Sequence, residues 1–244
     1  MQLLAIDAGN TFVKLAYHDG QVWQHPQRVL LADFCCDPAQ YLQYPAQQIV
    51  VANVAGSPVQ AAIASIFPEQ VVQWVKASSH ACGVRNQYTV PEQLGVDRWA
   101  MLIAARALTQ ADCVVVALGT ALTVDMLAQD GRFLGGVIAP GMQLMRAALA
   151  QGTDAVAPPP GQVTPFPNNT ADAVQTGLVY AALGVIEKTL AKFEAQCQHQ
   201  QPVSCILTGG GADWIAPYLN RPFQVVDNLV LEGLRLLAQQ EKAQ

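Results

Sequence analysis

Residues 3–17 read Leu3-Leu4-Ala5-Ile6-Asp7-Ala8-Gly9-Asn10-Thr11-Phe12-Val13-Lys14-Leu15-Ala16-Tyr17. An apolar strand, Leu3 to Ile6, runs into a small polar bend, and an alternating strand follows from Phe12 to Tyr17. Asp19-Gly20 then signals a tight turn before Gln21-Val22-Trp23. In such a bend Gly9 lets the backbone approach an anion. Asn10 and Thr11 add side-chain donors beside backbone N–H groups, and Lys14 adds a cation at the edge. Asp7 shares the sign of a phosphate, so it would act through Mg²⁺ or a metal-bound water. An ordinary hairpin with a polar bend has the same pattern.

The pattern recurs in VVVALGTALTVDMLAQDGRFLGG, residues 114–136. Setting Gly9 on Gly119 puts Asn10 over Thr120 and Lys14 over Val124, with the two Asp-Gly turns one residue out of step. An offset of about 110 residues suggests two copies of one α/β domain, residues 1–112 and 113–244, against chance likeness of two hairpins. Periodicity adds strands at Gln48–Val54, Val71–Val75 and Pro202–Leu207. It adds helices at Val59–Phe67, from Val96 onward, at Pro140–Ala150, Ala171–Phe193 and Asn228–Gln240. Asn169-Thr170 can cap the fourth of these helices. Ser78–Pro91 and the Pro-rich Val156–Pro167 read as loops. No low-complexity linker intervenes, so the halves are expected to share a cleft.

Only 13% of the 244 residues are charged, against roughly 25% in average proteins, which implies a large buried fraction or an oligomer interface. A net charge of −5 without a Lys/Arg cluster leaves no footprint for nucleic acid. No apolar run is long enough for a membrane span, and Met1-Gln2 begins no signal peptide, so a cytoplasmic protein is expected. The six cysteines, Cys35, Cys36, Cys82, Cys113, Cys197 and Cys205, match no metal-ligand spacing and read as reduced thiols. The four histidines, His199 among them, carry no assignable chemistry.

Two glycine bends can grip a polyphosphate from both sides, with Gly119-Thr120 supplying a backbone N–H and a hydroxyl. Gly209-Gly210-Gly211 leaves room for a flat ring against the backbone, or serves only close packing. In Gly95-Val96-Asp97-Arg98 the carboxylate could be a general base and the arginine an anion binder. A helix-start aspartate favoured by the helix dipole, with a surface arginine, accounts for the same residues.

Taken together these segments resemble the type III pantothenate kinases. Asp7-Ala8-Gly9-Asn10-Thr11-Phe12-Val13-Lys14 is similar to the family's first phosphate motif, and Tyr88, Pro91 and Gly95-Val96-Asp97-Arg98 to its pantothenate segment. Gly119 to Asp125 and Gly135 to Gly141 resemble the second phosphate motif and the turn after it. Asn169-Thr170 with Gln175-Thr176-Gly177 resembles a substrate-site helix, and Thr208 to Gly211 the adenosine motif. The resemblance implies two duplicated ribonuclease-H-like domains of the actin-like class with an ATP cleft between them, assembled as a homodimer. It implies ATP-dependent phosphorylation of pantothenate, with Mg²⁺ and a monovalent cation, K⁺ or NH₄⁺. Carried over by position, Asp97 becomes the base, and the Asp7–Lys14 bend and Thr120 become ATP contacts, with Asp7 also helping to hold Mg²⁺. Tyr88, Gly95, Val96, Asp97, Arg98 and Thr170 become pantothenate contacts, with no partner among nucleic acids or membranes.

One position departs from the pattern. The family's second motif commonly has Asp two residues before Gly-Thr, associated with the monovalent cation; here Ala117 stands there. A methyl in place of a carboxylate removes a hard oxygen ligand, so weakened or altered cation dependence is expected. The same loss is the one feature favouring a non-catalytic relative, a transcription accessory factor of the same family. Another kinase or phosphatase of the actin-like class would usually need larger insertions than 244 residues allow.

Overall fold

The Asp7 bend joins β1 (Leu3–Ala8) to β2 (Phe12–His18) in an antiparallel pair, and β2 pairs antiparallel with β3 (Trp23–Leu30). β1 also pairs in parallel with β4 (Gln48–Asn53), and β4 with β5 (Val72–Trp74), giving the order β3-β2-β1-β4-β5. The structure is a computed structural model and describes residues 2–43, 46–68, 72–152, 159, 161–196 and 203–242. The chain divides into two units, Met1–Leu108 with Gly131–Phe133 and Asn228–Gln244, and Thr109–Asp130 with Leu134–Asp227.

In the first unit β1 is apolar on both faces because both are covered. Leu4, Ile6 and Ala8 pack with Phe34 of α1 (Leu31–Cys36) and with Val59 and Ile63 of α2 (Ser57–Ala64). Leu3 and Ala5 point the other way and are fully buried. On β1 and β4 packs α7 (Leu229–Lys242), which in turn packs along α3 (Val96–Leu108). The two helices cross so closely that a Cβ on Gly233 would sit 1.9 Å from the Ala100 carbonyl oxygen. The C-terminal helix therefore groups with the first unit, whereas the duplication expectation counted it with residues 113–244.

The second unit repeats the arrangement. Its sheet runs β12 (Gln224–Val225), β11 (Ser204–Thr208), β8 (Cys113–Leu118), β9 (Ala121–Leu127), then β10 (Arg132–Pro140). β8 and β9 are antiparallel, and β11 lies parallel to both β8 and β12. This is the first sheet's order again, a mixed sheet of ribonuclease-H-like topology present twice. Val114, Val116 and Leu118 pack with Leu178, Val179, Ile186 and Phe193 of the long helix α5 (Thr170–Gln196), while α4 (Met142–Gly152) and α6 (Ala212–Ile215) complete the helical set.

The repeat is one residue shorter at its second bend. Gly9 N–H closes on the Phe12 carbonyl, whereas Gly119 N–H closes on that of Ala121. Consequently Asp7 faces Lys14 across the first hairpin, and Ala117 faces Thr123 across the second. Thr123 is the counterpart of Lys14, not Val124 as the ungapped superposition had it.

Three local readings change. Ser78–Pro91 contains a small hairpin, β6 (His80–Ala81) and β7 (Val84–Asn86). Its turn residues Cys82 and Gly83 both have positive φ, 46° and 78°, the mirror-image turn that matches strand twist; strands this short show no alternation. β7 pairs in parallel with Arg132 and Phe133 at the start of β10. Helix α4 starts at Met142 because Pro140 still ends β10. Helix α1 was not legible as a separate element.

Val71, Pro202, Cys197 and His199 lie outside the described residues, as does most of the stretch from Val156 to Pro160. Cys35, Cys36, Cys82, Cys113 and Cys205 are free thiols. Among the described residues no helix is long and apolar enough to cross a membrane.

Candidate active site

Asp7 lies at the end of β1, on the face shared by Leu3 and Ala5. The bend after it is pinned by backbone: Leu31 N–H donates to the Thr11 carbonyl and Val54 N–H to that of Ala8, both at 3.0 Å. Ala8 and Val13 are buried, Phe12 is half-buried beneath the Arg28 guanidinium (3.7 Å to the ring centre), and Asn10 and Thr11 are exposed. Burial pushes the Asp7 carboxyl up from 3.8 to about 7; the Lys14 charge opposes this, and the Asp97 charge adds to it. The effect of the Asp97 charge on Asp7 sets the carboxylates of two separate motifs in one electrostatic neighbourhood.

Asp97 occupies the first turn of α3, which begins where the Trp99 N–H bonds to the Gly95 carbonyl (2.9 Å). Its Oδ1 accepts the Arg98 backbone N–H at 2.8 Å. A Cβ on Gly95 would lie 2.7 Å from that oxygen, so glycine is required for the carboxylate to hold this position. On the expectation that Asp97 acts as the base, Gly95→Ala should swing it aside and lower kcat by roughly tenfold or more while the ATP KM changes little, because the carboxylate is displaced and the Asp7–Lys14 bend is untouched. Steady-state kinetics with both substrates varied would check this; a wild-type kcat would contradict it.

Arg98 is a buried cation, 4% exposed, whose Nη1 donates to the Tyr88 hydroxyl at 3.1 Å. Val96 is buried between these polar groups in sequence and serves the core. The surface-arginine reading of the Asp97-Arg98 pair does not hold: burying a guanidinium is costly unless it has hydrogen-bonding work.

At the second bend Thr120 is exposed, and three glycine turns crowd around the end of β8. A Cβ on Gly141 would meet the Gly119 carbonyl oxygen at 2.2 Å, and one on Gly209 (φ 92°) the Leu118 carbonyl oxygen at 2.6 Å. Gly211 N–H donates to that same Leu118 oxygen at 2.9 Å. Close backbone packing is thus a sufficient reason for Gly209, and the part of Gly141 was not visible from spacing. Ala117 stands between Thr123 on β9 and Thr208 on β11. Thr123, 7% exposed, has a hydroxyl with no hydrogen-bond partner among the described residues.

Thr170 is exposed at the start of α5. Asn169 is the cap: its Oδ1 accepts the Asp172 N–H (2.9 Å) and its Nδ2 donates to Asp172 Oδ2 (2.7 Å). Asp172 also accepts the Gln162 N–H at 2.7 Å, and these bonds hold its carboxyl below the usual range.

Among the described residues no cluster of three or more His, Cys, Asp or Glu side chains could hold a metal. Half-buried Asp7, its carboxyl raised by desolvation with the Asp97 charge adding to the rise, is a group that a divalent cation would relieve.

The likenesses to known proteins run the length of the chain. A 2-dehydro-3-deoxygalactonokinase structure from Sinorhizobium meliloti superposes with a TM-score of 0.54 at 15% identity, covering 98% of this chain and 99% of that one. A structure described as a Baf family transcriptional activator, from Campylobacter jejuni, superposes at 0.61 with 19% identity, covering 99% and 100%. At such identities these show the fold alone, the actin-like pair of ribonuclease-H-like units. In sequence the chain is 42% identical over 244 residues to a type III pantothenate kinase of Aromatoleum aromaticum, covering 99% of each. It is 40% identical over 246 residues to one of Nitrosospira multiformis, covering 98% of this chain and 91% of that one. The family model for type III pantothenate kinase matches residues 3–192, which include the Asp7 bend, the Gly95–Arg98 turn and the second bend. On that match and those identities, the chain belongs to the type III pantothenate kinase family.

Proposed function

We propose that this chain transfers the γ-phosphoryl group of ATP to the primary hydroxyl of pantothenate, forming 4′-phosphopantothenate and ADP at the entry to coenzyme A synthesis. The observation that carries the reading is family membership together with the presence of Asp7 in the first bend and Asp97 at the start of α3, whose charge adds to the rise of the Asp7 carboxyl. A base for the acceptor and a carboxylate for metal-bound phosphates are useful in phosphoryl transfer only when near each other. The presence of Asp7, Asp97 and Arg98 speaks for an enzyme over a non-catalytic accessory factor.

In this reading Asp97 Oδ1 stays on the Arg98 amide and Oδ2 accepts the hydroxyl proton as the acceptor oxygen attacks. Arg98 and the Tyr88 hydroxyl take the acceptor's carboxylate, with Gly95, Val96 and Thr170 as further contacts. The bend from Asp7 to Lys14 takes the ATP phosphates through backbone N–H groups, the Asn10 and Thr11 side chains and the Lys14 cation, and Thr120 contributes a hydroxyl. Mg²⁺, held by Asp7 and the phosphates, would neutralise charge on the transferred group. We place the protein in the cytoplasm as a homodimer; the exposed apolar side chains Val137, Ile138 and Leu144 are consistent with a covered surface. The test is an ATP-dependent kinase assay on pantothenate, with and without K⁺ or NH₄⁺. No product under any cation condition would refute the assignment.

A monovalent cation is part of the proposal, and Ala117 sets its strength. With the methyl there, only hydroxyls such as those of Thr123 and Thr208 and backbone carbonyls remain as oxygen ligands. Activity is therefore expected to respond weakly to K⁺, with no steep rise in the micromolar range. Ala117→Asp should lower the K⁺ concentration for half-activation by about tenfold or more, since a carboxylate opposite the Thr123 hydroxyl adds a full charge to the ligand set. Identical K⁺ titrations of the two proteins would contradict it.

A further inference from the structure

Tyr88 and Arg98 do not hold their positions by themselves. Asn86, 7% exposed on β7, uses both ends of its side chain on the loop that follows it. Its Oδ1 accepts the Tyr88 N–H and its Nδ2 donates to the Pro91 carbonyl, both at 3.0 Å. Its register partner on β10 is Phe133, which is fully buried, with its ring 5.5 Å from that of Tyr88 and tilted by 34°. The Arg98 guanidinium carbon lies 5.9 Å from each of these two ring centres, while Nη1 reaches the Tyr88 hydroxyl. All four residues belong to the first unit.

Such an arrangement has a specific chemical use. A guanidinium tolerates aromatic neighbours because it is weakly hydrated and attracted to ring quadrupoles, and its N–H groups lie in a rigid planar fork that matches a carboxylate. Left on a flexible stem, that fork loses rotamer entropy on binding; held by two rings and a hydroxyl, it has lost most of it beforehand. Neither Asn86 nor Phe133 was marked by any sequence motif, because one lies in a segment that reads as loop and the other is far beyond Arg98 in the chain.

We propose that Asn86 and Phe133 are positioning residues for the acceptor's carboxylate. Asn86 fixes the Tyr88 loop, and Phe133 closes the aromatic slot that orients Arg98, so the site selects acceptors ending in a carboxylate. This rests on the pantothenate reading above.

The test compares two acceptors, pantothenate and its alcohol analogue in which a CH₂OH group replaces the carboxylate, with the full-length wild type, Phe133→Leu and Asn86→Ala. Each variant is expected to raise the KM for pantothenate on the order of tenfold, leaving kcat and the ATP KM within about twofold. The KM for the alcohol analogue should barely move, since that acceptor does not engage the fork. Equal losses on both acceptors, a fall in kcat at unchanged KM, or wild-type behaviour in both variants would overturn the inference. Should Phe133→Leu fail to fold by circular dichroism, Asn86→Ala alone decides, as it leaves the buried ring in place. A wild-type protein that phosphorylates neither acceptor overturns the functional reading itself, and this inference with it. That outcome appears before any variant is compared.

Discussion

Asp97→Asn should lower kcat by roughly 10²–10⁴-fold while ATP still binds with near wild-type affinity. The amide is isosteric, and its oxygen can still accept the Arg98 N–H that Oδ1 accepts at 2.8 Å, so the turn at Gly95 and the start of α3 are preserved. What is lost is the capacity to take a proton from the acceptor hydroxyl. The pantothenate KM should change little for the same reason. Single-turnover kinetics and calorimetric titration of ATP separate the two quantities, and a kcat near that of the wild type would remove Asp97 from the base role. A second readout is independent of turnover. Because the Asp97 charge helps hold Asp7 up at about 7, the variant should shift the pH profile of Mg–ATP binding to lower pH.

Asp7→Asn is expected to cost at least about 10²-fold in Mg–ATP-dependent turnover and at the same time to stabilise the protein at pH 8. Burial first, and the Asp97 charge after it, raise the folded-state value from 3.8 to about 7 against the pull of Lys14. Between those two values the unfolded chain has released the Asp7 proton while the folded protein retains it. Folding therefore binds a proton in that window, and the Asp7 contribution to stability falls as pH rises from 3.8 to about 7; above that the penalty is complete and constant. The asparagine carries no charge and no such penalty. Its melting temperature should exceed that of the wild type at pH 8 and match it near pH 4. Melting curves at the two pH values check the sign, and a Mg²⁺ titration with unchanged kinetics would count against Asp7 as a metal ligand. A residue that destabilises the free protein and is needed for turnover is what a site prepared for a cation looks like.

Much of the fold was legible because its signals are local. Strands buried on both faces, such as Leu3–Ala8 and Cys113–Leu118, appear as apolar runs, and the glycine bends after them mark the duplication. The long helix over Thr170–Gln196 and the helix at Val96–Leu108 are long enough for periodicity to show. The hairpin at His80–Asn86 is not, since strands of two and three residues carry no period; its place comes from pairing with Arg132 and Phe133, far away in sequence.

For the proposed site, local pattern singled out Asp7, the bend to Lys14, and Gly95 to Arg98, because a glycine bend between strands and a helix start each impose residue types on their own few positions. The one-residue gap in the second bend, which makes Thr123 rather than Val124 answer to Lys14, required the strand register. So did the setting of Arg98, which an isolated Asp-Arg pair leaves open between surface and interior. Only the assembled first unit buries that guanidinium and sets Tyr88 and Phe133 beside it. It also decides where the last helix goes: Gly233 permits α7 to close on Ala100 of α3, a contact between residues distant in the chain that no window of sequence contains. The longer strands and helices and the glycine bends depend on neighbours along the chain, so the sequence by itself determined them. The state of a buried charge depends on what the fold packs around it, and only the tertiary structure decided that.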